Sequence, residues 1–339
     1  MDRIRSLLLS LTTGYVLMFF SEHLFWARAR PGDTLGSWVA TWLAYSLLAF
    51  VFLTTLWHFR VGSLAGLFVA GSLVGWLGEG VLVQTLYDQF PLQISWTGLA
   101  WHALISVCLG WYGLRQALAA PTWKRSAAWC LGLGVFWGLW AIFWRVEEPA
   151  AQTSVADFAA FASTTSALLG LSLWLYARSA PSAFRPSRLA VIAALAILLV
   201  IFSLGTVPLA PVSIIVLPVL LGLVLAALAR NRRRNGQQVA LPFLGQPPLS
   251  LRSLLPLVLM PLVATLIYTA AMALDLRWHT NWLVYLVTMP AGFVLFGIAW
   301  WRLMRGEGPG PTLRPSADKA PERGSAPAPA VDCSNPRAG

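Results

Sequence analysis

The feature that most restricts the fold is a series of long apolar segments that recurs from one end of the chain to the other. Each segment is close to the ~20 residues that a helix needs to cross ~30 Å of hydrocarbon. Strands are disfavoured, because an open sheet leaves unpaired backbone groups in lipid and no alternating pattern typical of a β-barrel is present. The sequence therefore predicts an all-α, polytopic integral membrane bundle of about ten transmembrane helices. The segments span residues 6–27, 35–58, 61–85, 96–118, 126–144, 157–177, 189–207, 209–229, 253–275 and 281–301.

The composition favours a membrane protein over a soluble one. Hydrophobic residues make up 58% of the chain and charged residues 11%, whereas a soluble domain carries about 25% charged residues. The formal net charge of +11 comes from Lys and Arg in the segments between the apolar runs, where basic residues set membrane orientation. We therefore expect contacts with membrane lipids and no nucleic-acid partner.

Basic residues are distributed unevenly between the two sides of the predicted bundle. If the N-terminus is cytoplasmic, sixteen Lys and Arg residues lie on the inner side and four on the outer side. Cytoplasmic loops carry the excess of basic residues, so both termini are predicted to be cytoplasmic, with the protein in the inner (plasma) membrane. The four outer residues are Arg28, Arg30, Arg145 and Arg277.

The chain is predicted to divide into a transmembrane domain, residues 1–305, and a tail, residues 306–339. The tail is rich in Pro, Gly, Ser and Ala, so it cannot bury enough apolar surface to fold and is expected to be disordered in the cytoplasm. The Arg-rich loop at 230–252 is expected to lie on anionic headgroups. Residues 27–29 imitate a signal-peptidase site, which leaves open whether the first segment is cleaved.

Three ionisable residues fall at a similar depth in the predicted outer half of the membrane. Glu22, Glu79 and His102 lie about two turns inside the outer ends of the first, third and fourth helices. A charged acid at the centre of a membrane helix costs roughly 2.5–3.5 kcal/mol, so such groups normally face the bundle interior or a wet cavity. We interpret the three as candidate catalytic residues. The alternative is a Glu–His pair that only holds two helices together.

Polar and small residues on other helix faces are predicted to line the same interior. On the fourth helix, Gly98, His102, Ser106 and Gly110 recur every four residues and form one narrow stripe. Comparable polar faces on the ninth and tenth helices are expected to meet this stripe inside the bundle. They comprise Thr265, Tyr268, Thr269 and Asp275 on the ninth helix and Asn281, Tyr285, Thr288 and Gly292 on the tenth.

The predicted outer rim offers residues that could bind a substrate. Arg145 and Arg277 are expected to clamp a phosphate or carboxylate headgroup, because guanidinium groups bind such anions through paired hydrogen bonds. Trp101 lies close enough to the polar layer to form a pocket wall. The predicted substrate-binding residues are Arg145, Arg277, Ser106, Tyr285, Trp101 and Asp88.

No motif in the sequence identifies a cofactor, which therefore remains unknown. The three cysteines are too few and too scattered for a disulfide framework or a metal cluster. Motifs of phosphate-binding loops, dinucleotide folds, zinc proteases and serine hydrolases are missing. A metal held by His102, Glu79 and Glu22 is an alternative use of the same residues, but they lack a recognisable ligand spacing and we predict no metal site.

Three functional hypotheses follow from these observations. The first is an enzyme that acts on a small-molecule, lipid or lipid-linked substrate, with Glu79 or Glu22 as general acid or base and His102 as its partner. The second is a transporter or flippase, because the ten-helix plan is similar to the 5+5 plan of drug/metabolite transporters and the eighth helix, like the third, carries interrupting residues. The third is an accessory subunit with a partner in a larger membrane complex.

The predicted orientation can be tested by cysteine labelling. In a Cys333→Ser background, a membrane-impermeant maleimide should label Gln152→Cys in intact cells and Ser182→Cys only after permeabilisation. This result is expected because 152 lies on the side poor in basic residues and 182 on the side rich in them. The reverse pattern would contradict the orientation and every depth assigned from it.

Overall fold

A computed structural model describes residues 2–148, 152–235, 244–245 and 249–306, and within these ranges all regular secondary structure is helical. Ten of the helices are long and apolar enough to cross a membrane, which confirms the predicted all-α, multi-pass architecture. The orientation of the termini stays a prediction. Residues 307–339 of the predicted tail, and 236–243 and 246–248 of the predicted Arg-rich loop, lie outside the described ranges. The helices are α1 (Arg3–Trp26), α2 (Leu35–Phe59), α3 (Leu64–Leu82), α4 (Ile94–Leu118), α5 (Trp123–Glu147), α6 (Val155–Arg178), α7 (Arg188–Leu209), α8 (Ser213–Arg234), α9 (Leu251–Ala273) and α10 (Thr280–Arg305).

Hydroxyl side chains cap the first turns of five of the ten helices. A Ser or Thr directly before α2, α3, α6, α7 or α9 accepts a hydrogen bond from a backbone N–H in the first turn. Such a cap satisfies a donor that the helix itself cannot satisfy. The capping residues are Thr34, Ser63, Ser154, Ser187 and Ser250.

Helices α1, α3 and α4 form the centre of the bundle, and α3 packs along much of α4. The share of residues that are buried in the apolar stretch of each helix is greatest in α3 (83%) and α4 (72%), and least in α7 (17%) and α10 (11%). Helix α1 also packs against α2 and α6, while α9 packs against α5 and α6. The side of the bundle at which α1 ends and α2 begins is called here the Arg28 end.

Of the two polar faces predicted on the later helices, the one on α10 meets α4 and the one on α9 does not. On α9, Thr269 is exposed and its hydroxyl donates to Thr265 O of its own helix. On α10, Gly292 does reach α4, and Ser95 Oγ donates to Met289 O. The prediction is wrong for α9 because that helix packs mainly against α5 and α6 rather than against α4.

Glycines allow the central helices to approach until their backbones touch. A Cβ at Gly75 of α3 would lie 2.6 Å from Gly98 Cα of α4, and a Cβ at Gly14 of α1 would lie 2.6 Å from Ser46 Cα of α2. Close packing of this kind helps to drive helix association in lipid, where no hydrophobic force brings apolar helices together. The polar residues near these contacts are thereby held at fixed positions.

We expect Gly75→Ala to destabilise the protein by about 1–3 kcal/mol, the usual cost of overpacking, because the added methyl group forces α3 and α4 apart. Gly222→Ala on α8 is the matched control, since no atom lies within 4 Å of a Cβ at that position. Alanine at Gly222 should be neutral or slightly stabilising. Thermal unfolding in detergent measures both, and equal effects of the two substitutions would contradict the close contact.

Candidate functional site

A buried network of hydrogen bonds joins α1, α3 and α4. His102 Nε2 lies 2.8 Å from Glu79 Oε1, and His102 Nδ1 lies 2.9 Å from Ser21 Oγ. Ser21 Oγ is also 2.9 Å from Ser106 Oγ, and the Thr85 hydroxyl donates to the second oxygen of Glu79. Both nitrogens of the imidazole and both oxygens of the carboxylate therefore have partners.

The partners of His102 indicate which nitrogen carries the proton. A carboxylate only accepts hydrogen bonds, so with Glu79 in that form Nε2–H is the donor of this pair. Nδ1 of the neutral ring is then an acceptor, and the Ser21 hydroxyl donates to it. His102 and Ser21 are both buried.

A second hydrogen-bonded group surrounds the carboxylate of Glu22. The Tyr45 hydroxyl of α2 donates to Glu22 Oε1 at 2.8 Å, and the Trp26 indole donates to Glu22 Oε2 at 3.1 Å. The Tyr45 and His102 rings have centroids 6.3 Å apart, so the two groups are neighbours. We call them together the polar cluster, which comprises Ser21, Glu22, Tyr45, Glu79, Thr85, His102 and Ser106.

Most residues of the polar cluster lie in π-helical turns. Ser21 and Glu22 belong to the π turn Phe19–His23 of α1, Glu79 to Gly78–Leu82 of α3, and His102 and Ser106 to the π-helical segment Ile94–Leu114 of α4. The wider turn changes which side chains share a face, and Ser106 Oγ accordingly reaches Trp101 O five residues back. Turns of this type are rare and frequently occur at functional sites.

Tryptophans from α4 and α5 satisfy backbone carbonyls near the end of α1. Trp101 Nε1 donates to Phe20 O at 3.0 Å, and Trp140 and Trp144 both donate to Phe25 O, at 2.6 and 2.7 Å. The last carbonyls of a helix have no partner within the helix, and in lipid each would otherwise be costly. Trp101 thus lies against the π turn of α1, and its role as the wall of a substrate pocket stays a prediction.

Glu22 is the acid of the polar cluster that borders a cavity. The cavity has a volume of about 20 Å³, enough for one water molecule, and His23 also lines it. It shares Arg28, Arg30 and other wall residues with a groove of about 580 Å³ at the Arg28 end. The described cavities thus approach the polar cluster through Glu22, whereas His102 lies behind it.

Arg145 and Arg277, which are predicted to bind a headgroup, instead form hydrogen bonds with the residues at the end of α9. Arg145 Nη1 donates to Ala271 O and Leu276 O at 2.8 and 2.6 Å, and its Nη2 donates to Asp275 at 2.9 Å. Arg277 donates to the same carboxylate at 3.1 Å. Hydrogen bonds from Arg277 and then Arg145 lower the pKa of Asp275, so this carboxylate is ionised at neutral pH. The arrangement does not favour a role for either arginine in binding a substrate.

Two other predicted binding residues lie away from the polar cluster. Tyr285 is half-buried and its ring centroid lies 3.8 Å from that of Trp96, so it packs on α4 rather than facing His102. Asp88 is exposed in the connection between α3 and α4. Of the predicted binding residues, only Ser106 has a hydrogen bond within the polar cluster.

Sequence reasoning missed Ser21, Tyr45 and Thr85 of the polar cluster. Ser21 directly precedes Glu22, so its neighbourhood in sequence was a usable signal. Tyr45 and Thr85 carried no comparable signal, because their role depends on how α2 and the end of α3 pack. Among the described residues, no group of three His, Cys, Asp or Glu side chains is placed to hold a metal ion, so the alternative metal site has no support in this geometry.

The chain matches no protein-family model, no curated protein and no solved structure. Any functional assignment therefore depends on the chemistry of the site.

Proposed function

We propose that the protein is an integral membrane enzyme that uses Glu22 for acid–base chemistry on a lipid or lipid-linked substrate. The observation that supports this proposal most is the position of the Glu22 carboxylate, held by Tyr45 and Trp26 at the wall of a cavity that adjoins a groove of ligand size. Ligand sites are typically clefts of about 300–1,000 Å³ with few, well-placed polar groups.

Glu22 is suited to exchange a proton with a bound molecule. Its two oxygens are oriented by two donors, and the adjacent cavity is large enough for a water molecule or a substrate hydroxyl. As a base it would take a proton from that group, and as an acid it would return the proton to a leaving oxygen. A positioned acid or base of this type typically accelerates a reaction about 10²–10⁴-fold.

In this proposal the Glu79–His102 pair positions the site rather than touching the substrate. His102 holds Ser21, which directly precedes Glu22 in the same π turn, so the pair fixes the backbone from which Glu22 projects. Glu22, and not Glu79 or His102, is then the carboxylate that a bound molecule can reach. The direct catalytic role of that pair stays a prediction, which the variants below separate from a positioning role.

The transporter hypothesis has less support from the geometry. Inverted-repeat transporters build their sites from corresponding helices of both halves. Every member of the polar cluster belongs to α1–α4 or to the connection after α3. Helix α8, the expected counterpart of α3, continues through Pro218 rather than breaking there.

We expect Glu22→Gln to abolish activity while leaving yield and thermal stability nearly unchanged. The amide can still accept from Trp26 and can donate to Tyr45, but it cannot titrate. The readout is mass spectrometry of lipid extracts from cells that express each variant. Glu147→Gln, an exposed carboxylate at the same end of the bundle, is the matched control and should behave as wild type.

Two variants of Glu79 complete the test. Glu79→Gln keeps an acceptor for His102 and should retain most of the activity, whereas Glu79→Leu should lower both stability and activity, because His102 loses a partner that lipid cannot replace. Normal activity of Glu22→Gln would end the proposal. Loss of activity in a well-folded Glu79→Gln protein would instead assign the chemistry to the Glu79–His102 pair.

A further inference from the structure

The groove at the Arg28 end lies between the end of α1, the beginning of α2 and the first turns of α6. Its volume is about 580 Å³, which is within the range of sites for small molecules. Its lining residues are Arg28, Ala29, Arg30, Pro31, Trp38, Gln152, Thr153, Asp157, Ala160, Phe161, Thr164 and Thr165.

The groove changes from charged to largely apolar along α6. Asp157 in the first turn of α6 and Arg30 line the groove at the Arg28 end, while Phe161 and Thr165 line it further along α6. From Asp157 to Thr165 the helix advances about 12 Å at 1.5 Å per residue. A groove that begins at the level of the helix ends and extends this far into the apolar zone has the polarity profile of a lipid, with a charged headgroup followed by hydrocarbon.

The exposed guanidinium of Arg30 is the group of the groove that can bind a phosphate. The charged residues of the lining are Arg28, Arg30 and Asp157, and the Asp157 carboxylate accepts a hydrogen bond from Ser154. Arg28 is buried and forms an ion pair with Glu148. Arg30 pairs with Asp33 at 3.3 Å and lies over the Trp26 ring, and its side chain remains 39% exposed. A guanidinium has five donors, and an exposed one can offer several of them to a phosphate.

The groove also adjoins the proposed reactive carboxylate. Arg28, Arg30, Trp38 and Phe161 line both the groove and the small cavity beside Glu22. A headgroup bound at Arg30 would therefore place its linkage to the rest of the lipid next to that cavity. We propose that this groove binds a lipid with an anionic phosphate-bearing headgroup, with Arg30 as the main headgroup ligand. This inference deepens the proposed function and rests on it for the role of the bound lipid as substrate.

Binding can be measured by the thermal stability of the purified full chain in detergent as lipid is added. A ligand that binds only the folded state raises the melting temperature, and at a given concentration the rise is larger for a tighter ligand. Phosphatidylglycerol should stabilise the wild-type protein, whereas phosphatidylcholine should stabilise it much less. Arg30→Gln should weaken the apparent affinity for phosphatidylglycerol about 10-fold, which corresponds to one lost charge-assisted contact of about 1.4 kcal/mol.

Two controls separate the groove from general surface effects. Arg277→Gln removes an exposed arginine on the same side of the bundle but outside the groove, and it should leave the lipid response unchanged. Ala160→Trp should block the groove without changing any charge, while Ala167→Trp, on an exposed part of α6 outside the groove, should not. Equal responses of Arg30→Gln and Arg277→Gln, or normal lipid binding by Ala160→Trp, would overturn the inference.

The source of the anion and the link to function are tested separately. Soluble glycerol phosphate should not reproduce the stabilisation, because the apolar part of the groove would remain empty; equal stabilisation would overturn the assignment to a lipid. Glu22→Gln should still bind phosphatidylglycerol, because Glu22 is not a groove residue. Normal binding together with full activity of Glu22→Gln would remove the proposed function and keep the lipid site. Loss of activity in Glu22→Gln, together with no stabilisation of the wild-type protein by phosphatidylglycerol, would keep the proposed enzyme and place its substrate elsewhere.

Discussion

The hydrogen bond between Glu79 and His102 is the interaction on which the arrangement of the central helices depends. It crosses from α3 to α4 inside the most buried part of the bundle, and Ser21 extends it to α1. In a medium without water, an unpaired carboxylate or imidazole costs several kcal/mol. Each partner can be buried only because the other is present. The three helices are consequently held in one relative position, at which Glu22 and Tyr45 also meet.

This arrangement is also the reason why the proposed function gives the accessible acid and the buried pair different roles. His102 is enclosed by partners on both ring nitrogens, whereas Glu22 borders the cavity that leads towards the groove. A buried hydrogen-bonded network beside an accessible carboxylate can hold that carboxylate in one position, because the residues that pack around a functional side chain determine its geometry. The arginines of the groove would then bring a headgroup to that carboxylate.

The sequence was sufficient for the ten helices and for the grouping of Glu22, Glu79 and His102, because the helices follow from segment length and the grouping from the cost of exposing charge to lipid. It could not show which helices are neighbours. No sequence signal therefore points to Tyr45. Tyr285, which is predicted to bind substrate, instead packs on Trp96 and lies away from the polar cluster. Arg145 and Arg277 are predicted from the sequence to bind a substrate because no sequence pattern indicates that Asp275 folds back between them. The π turns that orient Ser21 and Glu79 had no sequence signature at all.

The most direct test of the central claim is a double-mutant cycle with Glu79→Leu and His102→Leu. The quantity measured for each variant is the free energy of unfolding in detergent. Each single substitution leaves a buried polar partner unsatisfied, whereas the double substitution removes both. We predict that the double variant is more stable than the sum of the single effects allows, by about 1–3 kcal/mol, as for other residues in direct contact. Additive effects would contradict the claim that this one bond holds the three helices together.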